Sequence, residues 1–152
     1  MCLFCYIINI TAKTNLRRCT IGGITVIVRI DFNSDEAIYI QLRNQIILGI
    51  ANSQIRDGDN LPSVRELADN IGINMHTVNK AYTILKQEGY VKLDRRKGAV
   101  ISLDCDKMRV KNELMEQMRV LLAQAICKDI SNQEIHEMVD EIYNEFTGLS
   151  SD

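Results

Sequence analysis

Residues Asn60–Gly89 read NLPSVRELADNIGINMHTVNKAYTILKQEG, and this stretch decides the fold. Its pattern predicts two short helices joined by a tight turn. Leu67, Ala68, Ile71, Ile73, Val78 and Ala81 fall at spacings that let two crossed helices share one core. Ala68 is small where the helices approach most closely, and Gly72 stands where the turn needs a residue tolerant of positive φ. Ser63-x-x-Glu66 forms a capping box, in which the hydroxyl accepts from the Glu66 N–H and the carboxylate reaches back to that of Ser63. Asn74 is the expected N-cap of the second of these helices and Gly89 its C′ residue.

The flanks extend the motif. A preceding helix is expected from Ile38 to Asn52, with Leu42, Ile46 and Ile50 stacked and Tyr39 and Ile47 widening the stripe. Arg56-Asp57-Gly58-Asp59 is a turn, and Pro62, the only proline, lies just before the next helix. After Gly89, the β-prone runs Tyr90–Leu93 and Ala99–Leu103 enclose the basic tip Asp94-Arg95-Arg96-Lys97-Gly98. Three helices followed by a hairpin of this kind make a winged helix-turn-helix over residues 34–104.

Residues 105–152 are a different, helical unit. Leu114, Met118, Leu121, Leu122, Ala125 and Ile126 share one helix face. Ser131-x-x-Glu134 is a second capping box, opening a helix whose inner face carries Ile135, Met138, Val139, Ile142 and Phe146. Two such helices cannot bury both stripes against each other, so a partner is expected, most economically a second copy. The fold class is therefore mainly α with a small β-hairpin: a winged helix-turn-helix domain followed by a C-terminal two-helix dimerisation hairpin.

Residues 1–33 form an N-terminal extension, and residues 1–25 match the rest of the chain poorly. Leu3–Ile10 precede Lys13, Arg17 and Arg18, the reverse of a secretory signal, and a β-prone run occupies Val26–Phe32. Two readings stand. The segment is a genuine extension, poorly ordered or strand-forming. Alternatively, Gly22-Gly23 is encoded by a ribosome-binding GGAGGN and translation starts at Val26, which peptides from residues 1–25 in the native protein would exclude.

Composition narrows the function classes. The chain has 152 residues, 46% hydrophobic and 25% charged, with no apolar run long enough to span a membrane. The net charge of −2 is unevenly placed: +3 over residues 1–33, 0 over 34–104 and −5 over 105–152. Any nucleic-acid contact must rely on local clusters rather than a domain-wide field. Cys2, Cys5, Cys19, Cys105 and Cys127 show no repeating interval, and Cys2-x-x-Cys5 has no second pair. They read as free thiols of a reducing cytoplasm.

No metal or cofactor site emerges. His136 beside Glu134 and Glu137 lacks further ligands, and Met108, Met115, Met118 and Met138 read as adaptable core. No catalytic arrangement is present: the two histidines lie in different units, and neither a nucleophile elbow nor a phosphate loop occurs.

The chemistry that remains is DNA recognition. The N-terminal half of the third helix offers Asn74, Met75, His76, Thr77, Asn79 and Lys80. Asn79 suits a bidentate contact to adenine, Lys80 guanine or phosphate, and Met75 a thymine methyl. Arg65 opens the second helix beside the site, and Arg95, Arg96 and Lys97 on the wing suit the flanking backbone or minor groove.

Taken together, Leu61-Pro62-Ser63-x-Arg65-x-Leu67-Ala68, Ile71-Gly72-Ile73-Asn74 and Thr77-Val78-x-x-Ala81-Tyr82-x-x-Leu85-x-x-x-Gly89-Tyr90 resemble the DNA-binding domain of GntR-family bacterial transcription regulators. Ile38-Tyr39-x-Gln41-Leu42 fits that family's first helix, and the short helical tail resembles the YtrA subfamily. The resemblance implies two tail helices for dimerisation and an adjacent, often ABC-transporter, operon. A cytoplasmic homodimer with two recognition helices is then expected to read a pseudo-palindromic double-stranded operator. It places Arg65, His76, Thr77, Asn79 and the wing residue Gly98 on positions where the family contacts DNA. Met75 and Asn79 stand where arginine is common, and Gly98-Ala99-Val100-Ile101 replaces Gly-Thr-aromatic-Val, so the operator is expected to differ. The favoured reading is a repressor; a winged-helix protein-interaction module is the rival, kept alive by the neutral 34–104 segment. The tail offers apolar surface but no cluster of buried polar groups to fix a small-molecule effector, so none or a weakly specific one is expected and its identity is unknown.

Overall fold

The structure of the protein, a computed structural model, describes residues 15–21, 24–103 and 106–147. Cys2, Cys5, Cys105 and Gly22-Gly23 lie outside the described residues. The chain divides into two compact units, Met1–Ser102 and Leu103–Asp152.

In the first unit, β1 (Asn15–Ile21) and β2 (Ile24–Ile30) pair antiparallel, with Asn15 opposite Ile30 and Ile21 opposite Ile24. The run expected over Val26–Phe32 thus begins earlier and is half of a hairpin, and part of the extension is strand. A ladder is made by backbone groups, so Asn15–Ile21 needs no side-chain periodicity to join it. Val28 and Ile30 of β2 enter the core.

Three helices come next: α1 (Ile38–Ala51), α2 (Val64–Ile71) and α3 (Met75–Gln87). Leu42 and Ile46 of α1, Leu67, Ala68 and Ile71 of α2, and Val78, Ala81, Tyr82 and Leu85 of α3 are all buried in one cluster. Ile73, Ile50, Tyr39 and Ile47 pack at its margin. Each fully buried Leu or Ile contributes about 1.5–3 kcal/mol, so this shared core outweighs any single cap or turn.

Two residues that the sequence pattern left aside complete the packing. Ile55, in the loop after α1, is buried. The N–H groups of Gln54 and Ile55 both donate to the Gly49 carbonyl, at 2.9 and 3.0 Å, and fold the chain back under the helix. A Cβ on Gly49 would lie 2.8 Å from Ile55 Cδ1, so any larger residue would make the buried Ile55 side chain shift. Gln41, also buried, accepts from the Asp31 N–H at 2.9 Å and donates to the carbonyls of Asp31 and Glu36 at 2.9 and 2.8 Å. It ties the end of β2 to the start of α1 and is fully satisfied there.

The unit closes with β3 (Val91–Asp94) and β4 (Gly98–Ile101), antiparallel with Asp94 opposite Gly98. The loop before α2 pairs along the far edge of β4: Leu61 donates to Ala99 O at 2.8 Å, Ile101 to Asp59 O at 2.9 Å and Gly58 to Ile101 O at 3.0 Å. The segment expected as a plain turn therefore anchors the hairpin, and Gly58 takes φ 87° there.

The second unit consists of α4 (Lys107–Ile126) and α5 (Asn132–Thr147). Asp106 caps α4, its carboxylate accepting from Met108 N and Arg109 N at 2.9 and 3.3 Å. The Ser131 capping box is complete: Ser131 N–H and Oγ–H donate to Glu134 Oε2 at 2.8 and 2.7 Å, and Glu134 N–H donates to Ser131 Oγ at 3.3 Å. These backbone and hydroxyl donors hold the Glu134 carboxyl below its ordinary value. Between the helices, Asp129 adopts φ 58°, with Ile130 donating to Ala125 O at 3.1 Å and Asp129 to Ile126 O at 3.1 Å. That is a Schellman closure with aspartate where glycine is usual.

The expected apolar stripes are present but uncovered. Leu114, Met118, Leu121, Leu122, Met138, Val139 and Ile142 are all exposed, Leu121 at 62%. Ala125 is buried, whereas Ile135 and Phe146 are half-buried. Among the described residues, no helix is long and apolar enough to cross a membrane.

Candidate nucleic-acid interface

The helix-turn-helix is built by local rules that the sequence obeys residue by residue. Ser63 Oγ accepts from the Glu66 N–H at 3.2 Å, and Gly72 ends α2 with φ 79°, its N–H on Ala68 O at 2.8 Å. Only half of the expected first capping box forms among the described residues: no bond returns from the Ser63 N–H to the Glu66 carboxylate. Glu66 stays exposed beside Arg65 and Asp69. The Tyr82 hydroxyl donates to the Pro62 carbonyl at 3.0 Å in a buried position, locking the approach to α2 onto α3.

Asn74 caps α3, its side-chain oxygen accepting from the His76 N–H at 2.8 Å. That oxygen is committed to the helix, so Asn74 retains its amide donors for an outside partner. Met75, His76, Asn79 and Lys80 are exposed and Thr77 is half-buried. No acidic residue lies in the first turn of α3. A helix N-terminus with short polar side chains and no carboxylate suits the approach of phosphates and base edges.

Lys80 departs from the picture of a free base-reading side chain. Its ammonium sits 3.7 Å from the centroid of the Tyr39 ring, in the first turn of α1. This cation–π contact directs the charge toward the start of α1. Tyr39 registers in the sequence only as part of the α1 stripe, because a cross-helix stack leaves no periodic signal.

The wing tip is equally specific. Arg95, Arg96, Lys97 and Gly98 are exposed, and Gly98 takes φ 79° where β4 begins. Asp94 Oδ1 accepts from Arg96 N at 2.7 Å and Lys97 N at 2.8 Å. The Lys97 N–H, then that of Arg96, holds the Asp94 carboxyl below its ordinary value, helped by the Lys97 charge. Arg65, Arg95 and Arg96 form no ion pair among the described residues, so their charges stay available to an anionic partner.

Comparison with known proteins agrees with this geometry. Residues 35–101 match the family of bacterial regulatory proteins, gntR family. The HTH-type transcriptional repressor YtrA of Bacillus subtilis (strain 168) is 33% identical over 124 residues, 80% of this chain and 95% of the relative. A solved structure of YtrA from Sulfolobus acidocaldarius, a GntR-family transcription factor, is 36% identical, with a TM-score of 0.57 covering 66% of this chain and 97% of that one. A transcriptional antiterminator from Listeria monocytogenes EGD-e superposes with a TM-score of 0.70 at 25% identity, covering 81% and 92% of the two chains. From the helix-turn-helix core, the wing and these likenesses, the chain belongs to the GntR family of bacterial transcription regulators, as a YtrA-like member with a winged helix-turn-helix DNA-binding domain.

Proposed function

We propose that the protein is a homodimeric, sequence-specific repressor that reads a pseudo-palindromic operator in the cytoplasm. The observation that carries this reading is the exposed, acid-free N-terminal half of α3, capped by Asn74 and accompanied by the unpaired wing arginines. His76, Thr77 and Asn79 face base edges, with Asn79 suited to adenine, and Met75 meets a thymine methyl. Arg65, the Asn74 amide and Lys80 contact phosphates, as do Arg95, Arg96, Lys97 and the Gly98 backbone. The similarity to a Bacillus subtilis protein described as a repressor supports the sign of regulation.

Dimerisation is inferred from the tail. Leu114, Met118, Leu121, Leu122, Met138, Val139 and Ile142 leave a broad apolar surface exposed on α4 and α5. A second copy covers it, with Ala125, Ile135 and Phe146 at the edges, and sets two α3 helices about one helical turn apart on DNA. The regulated genes are the adjacent operon, of the ABC-transporter kind by the subfamily resemblance.

A gel shift with the protein's own promoter region tests the reading. A salt-sensitive, sequence-dependent complex is expected. Its absence, for protein verified as folded, would overturn DNA recognition and leave the protein-interaction module suggested by the neutral 34–104 segment.

A further inference from the structure

One feature of the wing runs against phosphate binding: a carboxylate stands at the root of its basic tip. Asp94 is the only acid in Asp94-Arg95-Arg96-Lys97-Gly98, and it is exposed. A like charge there repels the DNA backbone. In water that repulsion amounts to about fivefold in affinity at 4 Å, and salt screens it further.

The carboxylate has a second role, visible in its bonds. Asp94 ends β3 opposite Gly98, which starts β4, so Arg95, Arg96 and Lys97 form the whole connection. One oxygen, Oδ1, accepts from both Arg96 N and Lys97 N, at 2.7 and 2.8 Å. Among the tip residues only Gly98 takes positive φ, so Arg95, Arg96 and Lys97 turn in ordinary backbone conformations under the hold of Asp94. Fixing the backbone of one or two residues before binding is worth on the order of tenfold or more in an equilibrium constant. An ordering effect of that size outweighs the local repulsion.

We propose that Asp94 is a positioning residue of the DNA contact: its carboxylate fixes the Arg96 and Lys97 backbone in the free protein, so the basic side chains meet phosphates from one preset geometry. The proposal rests on the reading of the wing as a DNA contact. It also assigns the residue a use that its charge alone would argue against.

Asp94→Asn and Asp94→Ala separate charge from geometry, since both remove the charge and only asparagine keeps the Oδ1 acceptor. Full-length variants are titrated by fluorescence anisotropy, at several salt concentrations, against a duplex that the unmodified protein selects from a random pool. Asp94→Asn is expected to bind as tightly as the unmodified protein or up to about fivefold tighter. Asp94→Ala is expected to bind about tenfold more weakly than Asp94→Asn, with faster amide exchange at Arg96 and Lys97 only in the alanine variant. Equal affinity and equal exchange in the two variants would overturn the positioning role. Arg96→Ala serves as the separate control: unchanged affinity there would overturn the wing contact itself, whatever Asp94 does. Asp94 is exposed, and matching unfolding midpoints verify that each variant retains the fold.

Discussion

Arg43 and Glu88 are joined by two parallel hydrogen bonds, Nε to Oε2 and Nη2 to Oε1, both 2.8 Å long. The pair links the middle of α1 to the C-cap of α3. The side chains are 28% and 33% exposed, so solvent screens the pair and its worth is about 1 kcal/mol. Arg43→Ala and Glu88→Ala are each expected to lower stability by about that amount in urea unfolding. A double-mutant cycle should return a coupling of about 0.5–1 kcal/mol while base preference stays unchanged.

Asp129 stands in the left-handed region, at φ 58°, in the turn between α4 and α5. Glycine adopts that conformation without a Cβ penalty. Asp129→Gly is therefore expected to stabilise the turn by up to about 1 kcal/mol, read as a raised thermal midpoint. A lowered midpoint would mean that the aspartate side chain contributes more than its strain costs.

Glu134 contributes to the pH dependence of the tail. Backbone and hydroxyl donors of Ser131 depress its folded pKa below 4.5, so the unfolded state binds protons more readily. The capping contribution is present above that unfolded value and is lost as pH falls through the folded one. NMR-detected titration should give a Glu134 midpoint below 4.5, and Ser131→Ala, which removes the hydroxyl but keeps the backbone donor, should raise it only part of the way back.

Lys80 stacks on Tyr39, and this predicts how it acts on DNA. With its ammonium beside the first turn of α1, Lys80 is proposed to meet phosphate rather than a base edge. Lys80→Ala is expected to weaken binding to cognate and random duplexes alike and to reduce the salt slope by about one. Loss of preference at a single base pair would instead assign it to base reading. Tyr39→Phe keeps the ring face and should leave both quantities unchanged.

The exposed tail stripes lead to an oligomer test. Met118→Glu or Ile142→Glu places a charge in the proposed contact between copies, where desolvation makes it costly. Sedimentation should show a dimer for the unmodified chain and a monomer for either variant, with operator affinity falling along with it. A monomer before substitution would remove the dimer from the proposed function.

Much of the first unit was legible because its signals are local. Ser63, Gly72, Asn74, Gly89 and Gly98 each answer a requirement set by neighbours within four residues, and the structure meets these requirements. The α1, α2 and α3 stripes were legible for the same reason: helical period alone selects the face that must leave water. Of the candidate site, the exposure of Met75, His76, Asn79 and Lys80 on α3 was legible from helical period, while their contact with DNA stays part of the proposal.

What required the tertiary structure were relations between distant segments. Pairing of Asn15–Ile21 with Ile24–Ile30, and of Asp59–Leu61 with β4, runs through backbone groups that every residue carries. The Arg43–Glu88 and Lys80–Tyr39 pairs join partners that come near only after α1 and α3 cross, while Gln41 and Ile55 close on backbone groups on either side of α1 without leaving a periodic signal. Asn60–Gly89 by itself determined that two helices cross around a glycine turn, because capping and helical period are short-range. Only the folded chain decided which side chains around that motif remain free for DNA. Lys80 is already engaged by a ring and Asn74 by its own helix, whereas the side chains of Arg95 and Arg96 form no ion pair among the described residues, with the backbone N–H groups of Arg96 and Lys97 on Asp94.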